Sequence, residues 1–207
     1  MRIQSLVKKN NYVTVTFDND EKLRLHYEVA LQCGLRKNDE ISNQRLKEIE
    51  KQEELFSLKN SALRIISRRP HSAFELKVKL QKKKFNKDDI APIIKDFQDR
   101  GYLSDRDFAF RYAEEALSKK KGLIKIKGEL ISKGISREII DEVMLSLEDE
   151  ESLIENARTL ANRKISSLKH KSLEKNQLKQ KLYSHLNGKG YSSDIIRQVV
   201  DDLIKEY

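Results

Sequence analysis

The stretch IKGELISKGISREIIDEVMLSL, residues 126–147, decides the fold. Ile126 and Leu130 lie four apart, one helical turn, and Gly134 follows as a stop. Ser136 then offers an N-cap, and Ile140, Val143 and Leu147 resume the spacing of three and four. The stretch therefore predicts a helix, a short turn through Lys133-Gly134-Ile135, and a second helix.

The same pattern occurs fifty residues earlier as Leu76, Leu80, Phe85, Ile90, Ile93 and Phe97. It occurs again fifty-six residues later as Leu182, Leu186, Tyr191, Ile196, Val199 and Leu203. The turns match, as Lys83-Lys84-Phe85, Lys133-Gly134-Ile135 and Lys189-Gly190-Tyr191, and so do the caps Asn86, Ser136 and Ser192. One further helix precedes each pair, over 54–67, 104–119 and 149–165. Six apolar positions in three copies make a tandem repeat, here of a three-helix unit about 50 residues long. In the first turn Lys84 stands where Gly134 and Gly190 stand in the others, and only glycine takes a left-handed C-cap without strain.

Starts and stops agree with this division. Ser42 can cap a helix through Leu46, Ile49 and Leu55. Ser72-Ala73-Phe74-Glu75 and Ser104-Asp105-Arg106-Asp107 have capping-box spacing, and Arg69-Pro70 breaks one helix before the next. The first forty residues differ. Tyr12–Phe17 alternates and is β-branched, Asp18-Asn19-Asp20 is turn chemistry, and Leu23–His26 alternates again. A β-hairpin is expected, with Ile3–Val7 as a third strand and a short helix Glu28–Cys33 stopped by Gly34. The fold class expected is mainly α: tandem three-helix repeats in an elongated array, preceded by a small β-hairpin-containing module. Boundaries are expected at 1–41 for the β-rich module and 42–103 for a connecting helix with the first repeat. The second repeat follows at 104–148 and the third at 149–207.

Charged residues make up 36% of the 207 and glycine and proline only 7 and 2 positions, which suits long solvated helices. No apolar run reaches the ~20 residues of a membrane span, and the N-terminus has no signal core. The single Cys33 excludes an internal disulfide framework and is expected as a small buried hydrophobe in a reducing, cytoplasmic setting.

The net charge of +9 is unevenly spread. Residues 1–56 carry 10 basic and 10 acidic side chains, residues 57–134 carry 20 and 10, and residues 135–207 carry 12 and 13. A surplus held in one segment attracts polyanions, nucleic acid above all. The candidate binding residues are Arg64, Arg68, Arg69, Lys77, Lys82, Lys83, Lys84, Arg111, Lys119, Lys120, Lys121, Lys125 and Lys127. Such clusters neutralise phosphates without reading sequence. The competing role is ordinary: Lys83, Lys133 and Lys189 recur at helix C-termini, where a cation suits the dipole. Phe110 and Tyr112 are expected in the helix core, base stacking being the rival. The pair Asp105/Asp107 is expected at a helix N-terminus.

No phosphate-binding or dinucleotide glycine motif is present. His26, His71, His170 and His185 have no metal-ligand spacing. No cofactor, metal site or enzyme activity is expected. A helix-turn-helix reader of DNA is disfavoured, because Glu138, Asp141 and Glu142 in one second helix and Asp194, Asp201 and Asp202 in another repel phosphate. A protein-interaction scaffold remains as an alternative, given the acidic run Glu148–Glu151 and the near-neutral third repeat.

Ala62-Leu63, Ser67-Arg68-Arg69-Pro70-His71-Ser72, Glu75-Leu76 and Leu80 together resemble the first-repeat signature of the RecX regulators. So do Phe85, Ile90, Arg100-Gly101-Tyr102-Leu103-Ser104-Asp105, Phe108-Ala109 and Tyr112. Gly122, Ile126, Glu129-Leu130 and Lys133-Gly134-Ile135 are similar to that family's second repeat, and the third repeat matches more loosely. Cys33-Gly34-Leu35-Arg36-Lys37-Asn38-Asp39-Glu40 looks like an N-terminal extension of some members. Lys84 departs from an expected glycine, and Ser104 from an expected acidic residue. The resemblance implies a regulator of the RecA recombinase that binds its DNA filament in the helical groove and blocks growth or promotes disassembly. Weak, sequence-independent contact with single- and double-stranded DNA is expected from the basic segment 57–134, and the chain is expected to be a monomer.

Overall fold

Sixteen of the eighteen apolar repeat positions are buried, and only Phe85 and Ile93 are half-buried. The periodic pattern is thus the core. The structure, a computed structural model, describes residues 1–147, 149–168 and 174–206. The expected roles of Glu148 and His170 lie outside these residues.

The N-terminal sheet is antiparallel, in the order β1 (Ile3–Lys9), β2 (Tyr12–Phe17), β3 (Lys22–His26). Tyr12 pairs with both Lys9 and His26, so β2 is the central strand. Asn10 and Asp20 take positive φ of 56° and 64° in the two turns, a conformation their short polar side chains tolerate. Val13, Val15 and Phe17 face inward with Leu25, Ile41 and Ile49. Helix α1 (Tyr27–Gln32) follows and ends before Gly34, at φ +67°. Cys33 is half-buried rather than buried, with its thiol 2.9 Å from Gln52 Oε1, and desolvation pushes its pKa up.

Helix α2 (Asn43–Ile66) is capped by Ser42, whose hydroxyl accepts from the Arg45 N–H. The connecting helix and the first helix of repeat one are therefore a single rod. Glu53 of α2 accepts from the backbone N–H of His26 at 2.7 Å and meets its Nδ1 at 2.5 Å, which ties the sheet to the rod. After the break at Arg69-Pro70 come α3 (Ala73–Lys82) and α4 (Lys87–Asp99), the latter capped by Asn86. Leu58, Ala62, Leu76, Leu80, Ile90 and Phe97 are buried there. Lys84 does adopt the left-handed conformation, at φ +67°. The turn geometry survives without glycine, at a local cost of about 1–2 kcal/mol for the β-carbon.

Repeat two comprises α5 (Asp105–Ser118), α6 (Leu123–Ser132) and α7 (Arg137–Ser146), and repeat three α8 (Glu150–Leu168), α9 (Lys175–Lys189) and α10 (Ser193–Glu206). Gly101, Gly134 and Gly190 all have positive φ at their turns. Ser136 sits at its N-cap position without a capping hydrogen bond from the helix backbone, whereas Ser192 accepts weakly from Ile195 at 3.4 Å. Residues 1–70 with 76–103 form one compact unit, and residues 71–75 with 104–207 another. Among the described residues no helix is long and apolar enough to cross a membrane.

Candidate polyanion interface

Arg64 lies on the last turn of α2, and Arg68 and Arg69 lie on the connection to α3. Lys77 and Lys82 project from α3, and Lys83 and Lys84 form the turn after it. All seven are exposed. Three other cations of residues 43–103 are engaged: Lys51 with Asp89 at 2.5 Å, Arg100 with Asp96 at 2.6 Å, Lys59 with Asp96 at 3.8 Å, whereas Lys47, Lys87 and Lys95 are exposed without an ion pair among the described residues. Among the described residues no carboxylate pairs with Arg64, Arg68, Lys77, Lys82, Lys83 or Lys84. Arg69 donates to the Pro70 carbonyl at 2.8 Å and has a further interaction. Exposed cations without internal partners keep their charge and their mobility for an external anion.

The second-repeat residues behave differently. Lys119 pairs with Glu115 at 2.5 Å, Lys121 with Glu129 at 2.7 Å and Lys127 with Asp141 at 3.6 Å. Lys120 takes φ +59° and donates to Asn156 Oδ1, and Lys125 reaches the Gly188 carbonyl at 3.3 Å. Arg111 is exposed. Lys121 is the most structural of them, since its carboxylate partner is itself half-buried and also accepts from Tyr112 Oη at 2.7 Å. Burial would push the Glu129 carboxyl up, but the bonds from Lys121 and Tyr112 outweigh it and hold it low. The Tyr112 phenol is pushed up to about 12, by burial first and then by Glu129. Tyr112 and Phe110 pack against the second-repeat core, as expected.

Lys133 does more than cap a helix. Its ammonium binds Glu75 at 2.7 Å and lies 4.7 Å from the Tyr112 ring centroid. Beside it, fully buried Ser72 donates to the Lys133 carbonyl at 2.7 Å and accepts from the Glu75 N–H at 3.0 Å. Asp105 accepts from the free Ala73 N–H at 2.7 Å. The motif around Ser72 thus orients the opening turn of α3 against repeat two. Ser72→Ala is expected to cost about 2 kcal/mol, from one lost cap and one carbonyl left without its donor. Thermal unfolding followed by circular dichroism should then show a midpoint lower by about 4–8 °C.

The acids of the second helices are engaged too. Asp141 lies 3.7 Å from Arg137, and Glu142 binds Arg106 at 2.9 Å. Among the described residues no group of three or more His, Cys, Asp or Glu side chains is arranged to hold a metal.

Three successive three-helix units, with an exposed cationic set on the first, define a helical-repeat protein. Comparison with known proteins is consistent with that class. The descriptions "RecX, first three-helix domain", "RecX, second three-helix domain" and "RecX, third three-helix domain" match residues 59–97, 104–144 and 150–200. The chain is 31% identical over 206 residues to the regulatory protein RecX of Clostridium acetobutylicum, covering 99% of this chain and 96% of that one. It is 34% identical over 194 residues to that of Clostridium perfringens strain SM101, covering 93% and 91%. A crystal structure of regulatory protein RecX shares the fold, with a TM-score of 0.72 at 20% identity over 97% of this chain and 98% of that one. RecX from Lactobacillus salivarius gives 0.62 at 26% identity, over 72% and 96%. The chain belongs to the RecX family.

Proposed function

We propose that this chain regulates the RecA recombinase by binding the RecA–DNA filament and limiting its growth or promoting its disassembly. Homologous recombination and DNA repair are the processes affected. The observation that carries the reading is the exposed set Arg64, Arg68, Lys77, Lys82, Lys83 and Lys84, without carboxylate partners among the described residues, on a member of a regulatory family. Those cations suit the phosphates of filament-bound DNA or the acidic surface of the recombinase around it. No reaction of the chain's own is part of the proposal.

The test is RecA-dependent ATP hydrolysis on single-stranded DNA. Near-stoichiometric chain is expected to suppress it, and no change at excess chain would overturn the reading. Arg68→Ala with Arg69→Ala is expected to weaken filament binding at least tenfold while leaving the helical circular dichroism intact. Unaltered binding would move the contact away from the α2–α3 connection.

A further inference from the structure

Residues 135–207 carry no surplus of positive charge, yet the fold sorts their charges. On α10, Asp201 is bound by Lys179 at 2.7 Å and Asp202 by Arg158 at 3.0 Å. A groove of about 830 Å³ opens between α8 and α9. Leu168 is the apolar residue lining it, and the rest are Lys164, Gln177, Gln180, Lys181, Ser184 and His185. Each of those six can donate a hydrogen bond, and none is a carboxylate. Among the described residues neither Lys164 nor Lys181 has an ion-pair partner, in contrast to Lys179 two residues before Lys181.

We infer that the α8–α9 groove of the third repeat is a binding site for the backbone phosphates of single-stranded nucleic acid. The spacing supports this. Positions 177, 181 and 185 are spaced four apart and 177, 180 and 184 three and four apart along one face of α9, and 164 and 168 are spaced four apart on α8. A donor row of this kind follows a chain of anions. Amide and hydroxyl donors in the same groove as two ammonium groups suit phosphate oxygens, and the lack of a carboxylate leaves nothing there to repel them. Phosphate contact of this kind fixes position without reading bases.

A second observation agrees. His185 titrates below the usual imidazole range, because of burial first and then the fields of Lys164 on α8 and Lys189 on α9. Lys181 on its own helix adds to the same potential, and the acid Asp201 of α10 is turned to Lys179. An anion seated in the groove would offset that potential, so bound phosphate raises the His185 pKa.

The inference rests on the nucleic-acid part of the proposed function and moves it to a place the charge count did not indicate. It is tested without recombinase, on the full chain, with fluorescein-labelled oligothymidylate. The double variant Lys164→Gln/Lys181→Gln is expected to bind about tenfold more weakly, and its salt dependence to flatten by about two phosphate contacts. In an NMR titration of the unaltered chain, the oligonucleotide is expected to raise the His185 pKa. Equal affinity and equal salt dependence of variant and unaltered chain would overturn the site. So would an unmoved His185 pKa in the bound state, or displacement of the oligonucleotide by polyglutamate at equal charge concentration. If the unaltered chain binds no oligonucleotide, the nucleic-acid reading fails as a whole. If it binds and only the variant comparison fails, the α8–α9 assignment alone falls.

Discussion

Replacing Gly122 by Ala is expected to lower the unfolding midpoint by about 10 °C, the largest stability effect of any single methyl group in this chain. A β-carbon at Gly122 would meet the Gly190 carbonyl oxygen at 2.2 Å, its carbon at 2.3 Å and the Tyr191 nitrogen at 2.5 Å. All three are backbone atoms, so no side chain can swing aside. The backbones approach this closely because they are bonded: Gly122 donates to the Lys189 carbonyl at 2.9 Å, and Ile124 to the Gly190 carbonyl at 3.1 Å. Forcing them apart loses both bonds, at about 0.5–1.5 kcal/mol each, on top of about 1–3 kcal/mol for overpacking. Gly190→Ala should be of similar severity, since its φ of +89° disfavours a side chain and its β-carbon would meet Lys125 Cβ at 2.3 Å. Gly128 is the control. Nothing lies within 4 Å of its added carbon and it sits inside α6, so Gly128→Ala should raise stability by about 0.5–1 kcal/mol. Differential scanning calorimetry of the three variants decides the matter. A Gly122→Ala protein as stable as the parent would mean that repeats two and three are not joined as described.

The second large effect concerns salt. If about six first-repeat cations each neutralise one phosphate, affinity for single-stranded DNA should fall by about 10³ between 50 and 200 mM monovalent salt. Charge reversal at Lys82, Lys83 and Lys84 to Glu removes three of those contacts and sets three anions against the phosphates. The variant should bind at least 100-fold more weakly at low salt, with a visibly flatter dependence of log affinity on log salt. These side chains are exposed and make no ion pair among the described residues, so the circular dichroism melt should fall only by the few degrees that anions at the C-terminus of α3 cost through the helix dipole. Fluorescence anisotropy over a salt series measures both quantities. Salt-independent binding, or a variant indistinguishable from the parent, would sink the electrostatic account.

Much of this fold is written locally. The repeat at offsets of fifty and fifty-six is legible because each buried position is apolar and each copy has its own cap and turn. Period and punctuation are properties of neighbouring residues, and they survive in a one-dimensional string. The β-hairpin is legible for the same reason, through alternation in Tyr12–Phe17 and the turn residues after it. The positive segment is also a count along the chain. Even so, the count treats Arg68 and Lys121 alike, although one is exposed without a carboxylate partner and the other is held by Glu129. Which cations remain for a partner depends on carboxylates that folding brings near, and Glu75 meets Lys133 across 58 positions.

Local pattern was enough for most helix ends, for the apolar faces, and for three copies of one unit after a small sheet, but not for the continuity of the connecting helix with the first helix of repeat one. Tertiary structure alone decided three other matters. Gly122 has an ordinary φ of −77°, so no backbone rule requires glycine there, and the requirement comes from the turn at Gly190 pressing against it. Lys84 holds a left-handed turn that its side chain disfavours, because the packing of the buried repeat positions on either side outweighs the local cost. The third repeat, with a net charge of only +2 over residues 149–207, gathers Lys164, Lys181 and His185 on one groove while Arg158 and Lys179 engage Asp202 and Asp201. A sum over residues records how much charge a segment carries. Only the packing of α8, α9 and α10 determines which of those charges share a surface.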